Sequence, residues 1–494
     1  MAVEKAKPKS AALTMSSETP APAWFETAAI PARERPRLSF DVDVDLCVIG
    51  GGLAGLSIAR EAVRRDATVA VIEAKTVAWG ASGHTLGTVM PGYGCDIADL
   101  VARVGRDDAR ELWALSQLGV ESVRATIAES GMPDLGVTHG ALEVSHTDNG
   151  DQLVGRLQML GEEFGADVEG WQTEQVRDAV KTPRYFHAVH YPGAFNVHGL
   201  SYVRALAESA ERAGVQIFEN TRVISIDPAG VRKRIVTDAG RLRAAYIVLA
   251  GNVHLGELFP LLGRTLLPVW RYAAITAPLG DRLAQTLAYP GAVVESSGGA
   301  HYRIIGGDRL MWSAPVTTWD VSPRRFAARI RRHIETVFPQ LRGVAIEQVV
   351  SGATGETVHG MPQIGELRRG FWIASGFGRQ GLNTSALAGQ LVASGLLQGD
   401  DRWRLFSPFE LVWSGGTTGR VVGQAVYSFN RGQAAVAGAL ARYREGARVR
   451  EQQREARRIA ANEAVRAMRT GPQGPAPQVP PVSMNAPPDG DRAA

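Results

Sequence analysis

The segment DLCVIGGGLAGLSIAREAVRRDATVAVIEA, residues 45–74, constrains this chain more than any other. DLCVIG reads as a strand that turns through GGGLAG into a helix with Leu56, Ala59, Ala62 and Val63 on one face. TVAVIEA follows as an all-apolar strand, the pattern of a strand covered on both faces of a parallel sheet. The unit is βαβ. Gly50, Gly52 and Gly55 fall as GxGxxG at the strand-to-helix junction, with Leu53 and Ala54 in the same turn. The first glycine permits the tight turn, the second lets backbone approach a pyrophosphate, and the third lets helix and strand pack closely. Phosphate charge then sits on the helix N-terminus. Glu73 ends the second strand 21 residues after Gly52, where an acid accepts hydrogen bonds from ribose hydroxyls. Together these features predict a dinucleotide site.

Nicotinamide and flavin dinucleotides share that fingerprint, so the following loop must discriminate. A simple doubly wound dehydrogenase leads from its second strand into another crossover helix. Here the strand leads into TVAWGASGHTLGTVMPGYG, too rich in glycine for a helix and suited to laying backbone along a flat, extended ligand.

Farther on, a helix is expected from about Ser201 to Ala213, then the run VQIFENTRVISID, a hairpin through RIVTDAGRLRAA and the strand YIVLAGN. VWRYAAITAPL and HYRIIGGDRLMWSA alternate and carry aromatics, as strands of a mixed or antiparallel sheet do. A helix from about Pro323 to Phe338 follows, and FWIASGFGRQGLNTSALAGQLVASGLL repeats strand, glycine loop and helix.

The chain has 494 residues, 45% apolar and 21% charged, room for two to three domains of ordinary globular character. Its net charge is +4, yet residues 442–470 hold nine Arg against four Glu, so the rest is close to neutral and carries no nucleic-acid footprint. Cys47 and Cys95 are the two cysteines, a usage that fits a reducing compartment. No stretch serves as a signal-peptide core and no run of 18 apolar residues occurs, so a cytoplasmic chain without a spanning helix is expected. Residues 1–40 read as a flexible arm with WFETA as a docking patch, 442–470 as a solvated basic helix, and 471–494, with seven prolines, as a disordered tail.

IGGGLAGLS, VIEA, WGASG, YIVLAGN followed by LLPV, and the closing GF-x-x-x-G at a helix start resemble the FAD-dependent amine and amino-acid oxidoreductases of the D-amino-acid oxidase superfamily. Within it, the gamma-glutamylputrescine oxidase and sarcosine oxidase-like branch is most similar. The resemblance implies an α/β (α+β) fold: a Rossmann-like FAD-binding domain of discontinuous segments (41–94, 192–252 and 350–400) and a mixed-sheet substrate domain (95–191 and 253–349). An extension over 401–441, the basic helix and the tail complete the chain. Gly50, Gly52, Leu53, Ala54 and Gly55 would take the pyrophosphate and Glu73 the ribose. Ala81, Ser82 and Gly83 would pass beside the isoalloxazine, Val223 would present backbone to the adenine, and Gly376, Gly378, Gly381, Leu382 and Asn383 would bring a helix N-terminus to the pyrimidine edge. A positive helix end there stabilises charge that gathers near flavin N1 and O2.

This chain departs from the family pattern in carrying His84, Thr85 and Leu86 after GASG, and Arg379 and Gln380 in GFGRQG. VVSGATGETVHGMPQIGEL holds no cysteine, so FAD is expected to be noncovalent. No lysine follows Lys233, so the enzyme either reacts slowly with O2 and passes electrons to another acceptor, or uses another cation. The implied reaction is hydride transfer from the carbon beside a substrate nitrogen to flavin N5, giving an imine that hydrolyses. His84, Tyr302, Arg303, Trp312, His359 and Arg379 are the pocket candidates, each with an alternative as packing, cap or surface residue; no catalytic acid or base stands out. His187 and His190 form HxxH, but positions three apart on a strand face opposite sides, so no metal is expected. A small-molecule amine or amino acid and O2 or another electron acceptor are the expected partners. A hydroxy-acid dehydrogenase, a feeder of a respiratory carrier, and a flavin-binding interaction protein remain alternatives.

Overall fold

The opening strand, Val42–Ile49, is buried along its C-terminal half and pairs in parallel with Val69–Ile72 on one side and Arg241–Leu249 on the other. In this computed structural model, which describes residues 25, 28–132, 135–296, 299–313 and 316–469, that trio is the centre of the first of two sheets. Gln216–Phe218 extends it in parallel beyond Val69–Ile72, and Phe371–Ser375 does so beyond Arg241–Leu249. Gln363–Arg368 closes that edge antiparallel. The expected hairpin is Lys233–Thr237 with Arg241–Leu249, joined by Val223–Asp227.

The second sheet has nine strands and is antiparallel apart from one parallel pair, Ala292–Glu295 with Thr138–Val144. Its longest pairing joins Leu267–Thr276 to Ile346–Glu356, and the HYRIIGGDRLMWS segment forms the hairpin His301–Ile305 with Arg309–Ser313. The helix Pro323–Val337 buries Phe326, Ile330, Ile334 and Val337 at i, i+4, i+8 and i+11, the face of an amphipathic helix. The α/β class with a mixed second sheet, expected from the sequence, is what the chain adopts.

One apolar face was expected for the first helix, Leu53–Val63, but residues 53–62 are all buried. The reason is a second layer: the helix Gly381–Gln398 lies across it. A Cβ on Gly389 would stand 2.9 Å from the carbonyl carbon of Ser57, so the glycine sets the separation of the two helices. Gly119, in the helix Arg106–Glu129, meets Asn383 O at 2.4 Å in the same way. Arg60, buried by this layering, is neutralised by Glu61 and Glu129, each at 3.1 Å, and donates to Ser209 Oγ at 3.3 Å.

Of the expected N-terminal arm, residues 1–24, 26 and 27 lie outside the described residues, including all of WFETA except Phe25 and Ala28. Phe25 is buried and stacks on His198 with ring centroids 4.6 Å apart. Residues 28–40 are held on the body: Arg35 bridges Glu211 (2.9 Å) and Glu219 (3.3 Å), and Leu38 is fully buried. The flexibility expected there gives way to these ion pairs and this burial. At the other end, a helix starts at Gly416, well before the expected 442, and runs to Arg469. The compact body ends at Gly438; residues 439–466 are a largely solvent-exposed helical stretch, and the expected tail lies outside the described residues.

Gly389→Val forces the two layered helices apart and is expected to cost roughly 1–3 kcal/mol. Gly155→Val, on an exposed helix with open space around its Cβ position, should leave the urea midpoint nearly unchanged. Equal midpoints for the two variants would refute the packing role.

Candidate functional site

The first glycine turn is built as its spacing predicts. Gly50 has φ +119°, and a Cβ there would stand 2.8 Å from the Ala250 carbonyl carbon. A Cβ on Gly55 would stand 1.9 Å from Gly50 O. Gly52 caps the Leu53–Val63 helix without a side-chain bond, and no acid lies in its first turn. Its Cβ position is 2.8 Å from Ser82 Oγ, which accepts from Leu53 N–H at 3.1 Å. The GASG loop therefore docks on the start of this helix, as a single 3₁₀ turn, Ala81–His84.

Glu73 sits beside the turn. Its carboxylate accepts from Gly51 N–H (2.7 Å) and Lys75 N–H (2.8 Å). Burial pushes its pKa up and these backbone bonds pull it down, with a net rise. Thr221 N–H donates to Glu73 O at 2.9 Å, which carries the chain past this carboxylate to Val223, the half-buried first residue of Val223–Asp227.

A second helix start faces the first. Gly376 and Gly378 take φ of +73° and +54°, and the helix beginning at Gly381 has neither a side-chain cap nor an acid in its first turn. Leu382 and Asn383 are buried, and Asn383 donates to Gly92 O at 3.2 Å. Leu53, Ala81, Ser82, Gly378 and Gly381 line one cleft, so both uncapped N-termini open onto the same space. Unsatisfied N–H groups and two positive dipole ends make that space a binding site for an extended anion. The residues present fit an FAD: glycines where a Cβ would block the cradle, a half-buried acid at the second strand end and helix starts with no anion of their own.

The cleft's other wall is the antiparallel sheet, which brings Arg271, His301, Ser313, Gly352 and Thr354 to it, with Asn252 from the LAGN segment. Arg271 pairs through Nη2 with Glu356, and its Nε is buried with no partner among the described residues. Tyr427 donates to the other Glu356 oxygen at 2.6 Å. Arg379 lies open to the cleft yet crowded by protein; desolvation first and the like charge of Arg271 second hold its pKa below the ordinary arginine value. Two guanidinium groups meet one carboxylate, Glu356, here, and a second carboxylate, Glu295, also lines the cleft.

His301 is neutral there. Burial, then the charges of Arg379, Arg303 and Arg271, push its pKa down to about 3. Asn196 donates through Nδ2 to the carbonyls of Thr138 (3.4 Å) and Gly140 (3.1 Å), so its Oδ1 faces Thr88 and takes the Thr88 hydroxyl proton at 2.6 Å. Thr88 Oγ1 must then accept from His301 Nε2–H at 2.9 Å. The chain of donors fixes the tautomer and leaves Nδ1 as the ring's acceptor.

Of the six pocket candidates, His84 and Arg379 line the cleft. His84 also shares Nδ1 with Gly80 O at 3.1 Å. Tyr302, Arg303, Trp312 and His359 are placed elsewhere. Tyr302 alternates to the face opposite His301 and stacks on Trp312, centroids 4.0 Å apart, while Trp312 Nε1 donates to His333 at 3.3 Å. Arg303, buried with its pKa lowered to about 10 by burial, donates to Leu86 O and Val197 O, both at 2.7 Å, and so pins the HTLG loop from behind. His359 accepts from Met361 N–H at 3.2 Å within its own turn. The sequence reading missed Asn252, Arg271, His301 and Thr354. Arg271 carried a usable signal, a lone charge in an otherwise apolar strand.

His187 pairs with Asp148 (3.2 Å) and His190 with Glu169 (2.8 Å); among the described residues no group of three His, Cys, Asp or Glu side chains is placed to hold a metal ion. Among those residues, too, no helix is long and apolar enough to cross a membrane.

Residues 45–394 match the family described as "DAO: FAD dependent oxidoreductase". The chain belongs to this family of FAD-dependent oxidoreductases. Gamma-glutamylputrescine oxidoreductase of Escherichia coli K12 is 29% identical over 404 residues, 79% of this chain and 93% of that protein. A probable oxidoreductase, OrdL, of Haemophilus influenzae is 26% identical over 380 residues, 75% of this chain and 87% of the relative. The crystal structure of glycine oxidase from Geobacillus kaustophilus superposes with a TM-score of 0.61 at 24% identity, covering 75% of this chain and 99% of that one. As an FAD-dependent oxidoreductase, the chain has its glycine turns and both helix starts inside the matched span, whereas Tyr427 lies beyond it.

The unfolded chain protonates His301 near pH 6.5, the folded chain only near 3. The unfolded state therefore binds the proton first, and this site's contribution, complete above about pH 6.5, is lost progressively as pH falls toward 3. Thermal midpoints should drop between pH 7 and pH 5, and His301→Gln should flatten that drop; an unchanged slope would contradict the neutral assignment.

Proposed function

We propose that this flavoenzyme oxidises the C–N bond of a small amine or amino acid that carries a carboxylate, with FAD held noncovalently. The observation that carries the reading is one cleft combining two uncapped helix starts, a pair of arginines and a neutral histidine acceptor. Gly50, Gly52, Leu53, Ala54 and Gly55 would hold the pyrophosphate, Glu73 the ribose, Val223 the adenine, and Gly376, Gly378, Gly381, Leu382 and Asn383 the pyrimidine edge. Ala81, Ser82 and Gly83 would support the ring. When bound, FAD supplies the acceptor for the hydride that leaves the carbon beside the substrate nitrogen; water then hydrolyses the resulting imine.

The chain's own residues bind, orient and manage protons. Arg271 and Arg379, which line the cleft, suit a substrate carboxylate. A guanidinium charge beside the substrate nitrogen would also favour the neutral amine over the ammonium, the form with a lone pair to expel hydride. His301 Nδ1, the acceptor left on this cleft-lining ring, would take an amine N–H, and His84 adds a polar group at the loop end. Neither cysteine lines the cleft, and burial pushes Cys47 up to about 12 and Cys95 up to about 11, which supports a noncovalent flavin. The enzymes named gamma-glutamylputrescine oxidoreductase and glycine oxidase support the substrate class.

Anaerobic addition of carboxylate-bearing amines should bleach the flavin absorbance of the purified protein. Bleaching by hydroxy acids alone, or by no small reductant, would overturn this reading. Acid precipitation should release the flavin to the supernatant, and Gly52→Val, which fills the cradle, should yield colourless protein.

A further inference from the structure

The matched family span ends at residue 394, yet the helix that begins at Gly416 bonds to Glu356, the carboxylate partner of the cleft residue Arg271. Within the body, this helix is fixed by three bonds to one residue. Gln424 accepts from Thr318 N–H (3.0 Å), Thr318 Oγ1 donates to Arg420 O (2.9 Å), and Arg420 Nε donates to Thr318 O (2.9 Å). The Arg420 guanidinium also lies 4.1 Å from the Trp319 ring centroid. Two residues before Thr318, Val316 lines the cleft. Two turns along the helix from Arg420, Tyr427 reaches Glu356 at 2.6 Å, and Glu356 in turn holds Arg271.

We propose that Tyr427 is a positioning residue for substrate, and that the Gly416–Gly438 stretch supports the substrate site from behind Glu356, beyond the matched family span. The inference rests on the carboxylate-binding reading above. Glu356 has two oxygens and two guanidinium groups nearby. By donating to one oxygen, the Tyr427 hydroxyl commits the other to Arg271. Arg379 is then left without this carboxylate as a full partner and keeps its charge for the substrate. Without the hydroxyl, Glu356 is free to turn and share itself between both arginines, which lowers the charge offered to a ligand.

The experiment uses the full-length holoenzyme and glutarate as a non-oxidisable carboxylate probe, followed by flavin absorbance and by thermal shift, with glutaramide as the uncharged control. Tyr427→Phe is expected to raise the glutarate dissociation constant about five- to tenfold, the net worth of about one ordinary hydrogen bond. With an oxidisable substrate it should raise KM far more than it lowers kcat. In a Glu356→Ala background the same substitution should have no further effect, because Tyr427 acts through Glu356. Arg420→Met, which loosens the helix at Thr318 without touching the cleft, should weaken glutarate binding in the same direction. Phe429→Ala, an exposed neighbour on the helix, should change nothing.

An unchanged dissociation constant in both Tyr427→Phe and Arg420→Met, or an undiminished Tyr427→Phe effect in the Glu356→Ala background, overturns the proposal. The two readings fail separately. If no amine bleaches the wild-type flavin while glutarate binding depends on Tyr427, the reaction assignment falls and the positioning role stands.

Discussion

A β-carbon at Gly55 would lie 1.9 Å from Gly50 O, far inside any real contact, and that single distance governs the depth at which the Leu53–Val63 helix settles against its strand. With the helix so close, its first N–H groups lie within reach of the GASG loop, and Leu53 N–H is received by Ser82 Oγ. The same closeness allows the Gly381–Gln398 helix to cross at the Gly389 to Ser57 contact. Two helix starts then open on one cleft. Lengthening any of these approaches by a methyl group would separate elements that must act on a single ligand.

Charge is arranged in layers around that cleft. Farthest in, Arg303 is buried against the carbonyls of Leu86 and Val197, so a full cation is solvated by backbone dipoles behind the HTLG loop. A buried arginine of this kind is costly to strand, since removing either carbonyl leaves donors unsatisfied. Nearer the cleft, Arg271 is met by Glu356, and Arg379 remains open to solvent. His301 stays neutral first because it is buried and then because all three arginines repel a further positive charge.

The backbone framework was legible in the sequence because it depends on glycines, whose requirements are local. GxGxxG, GASG and GF-x-x-x-G each mark a place where a Cβ collides or φ turns positive. The substrate wall was harder to read. Tyr302 and His301 are adjacent, and strand alternation assigns them to opposite faces, but which parity meets the cleft is decided by sheet pairing. Arg271 and Glu356 are 85 positions apart and Glu356 and Tyr427 are 71, so no local pattern links them. The early start of the C-terminal helix was hidden by its glycines at 416, 419 and 423, which are poor helix formers inside what reads only as an extension.

The cations of the cleft are both guanidinium groups, and no lysine lies among its described lining residues. Under the amine-oxidising reading, every turnover ends in a carbonyl compound at high local concentration. A lysine amine beside it would be a nucleophile for condensation. Guanidinium, protonated throughout the physiological range, would attract the carboxylate proposed for the substrate without offering such a nucleophile. The choice of arginine over lysine thus makes the binding site chemically inert toward its own product.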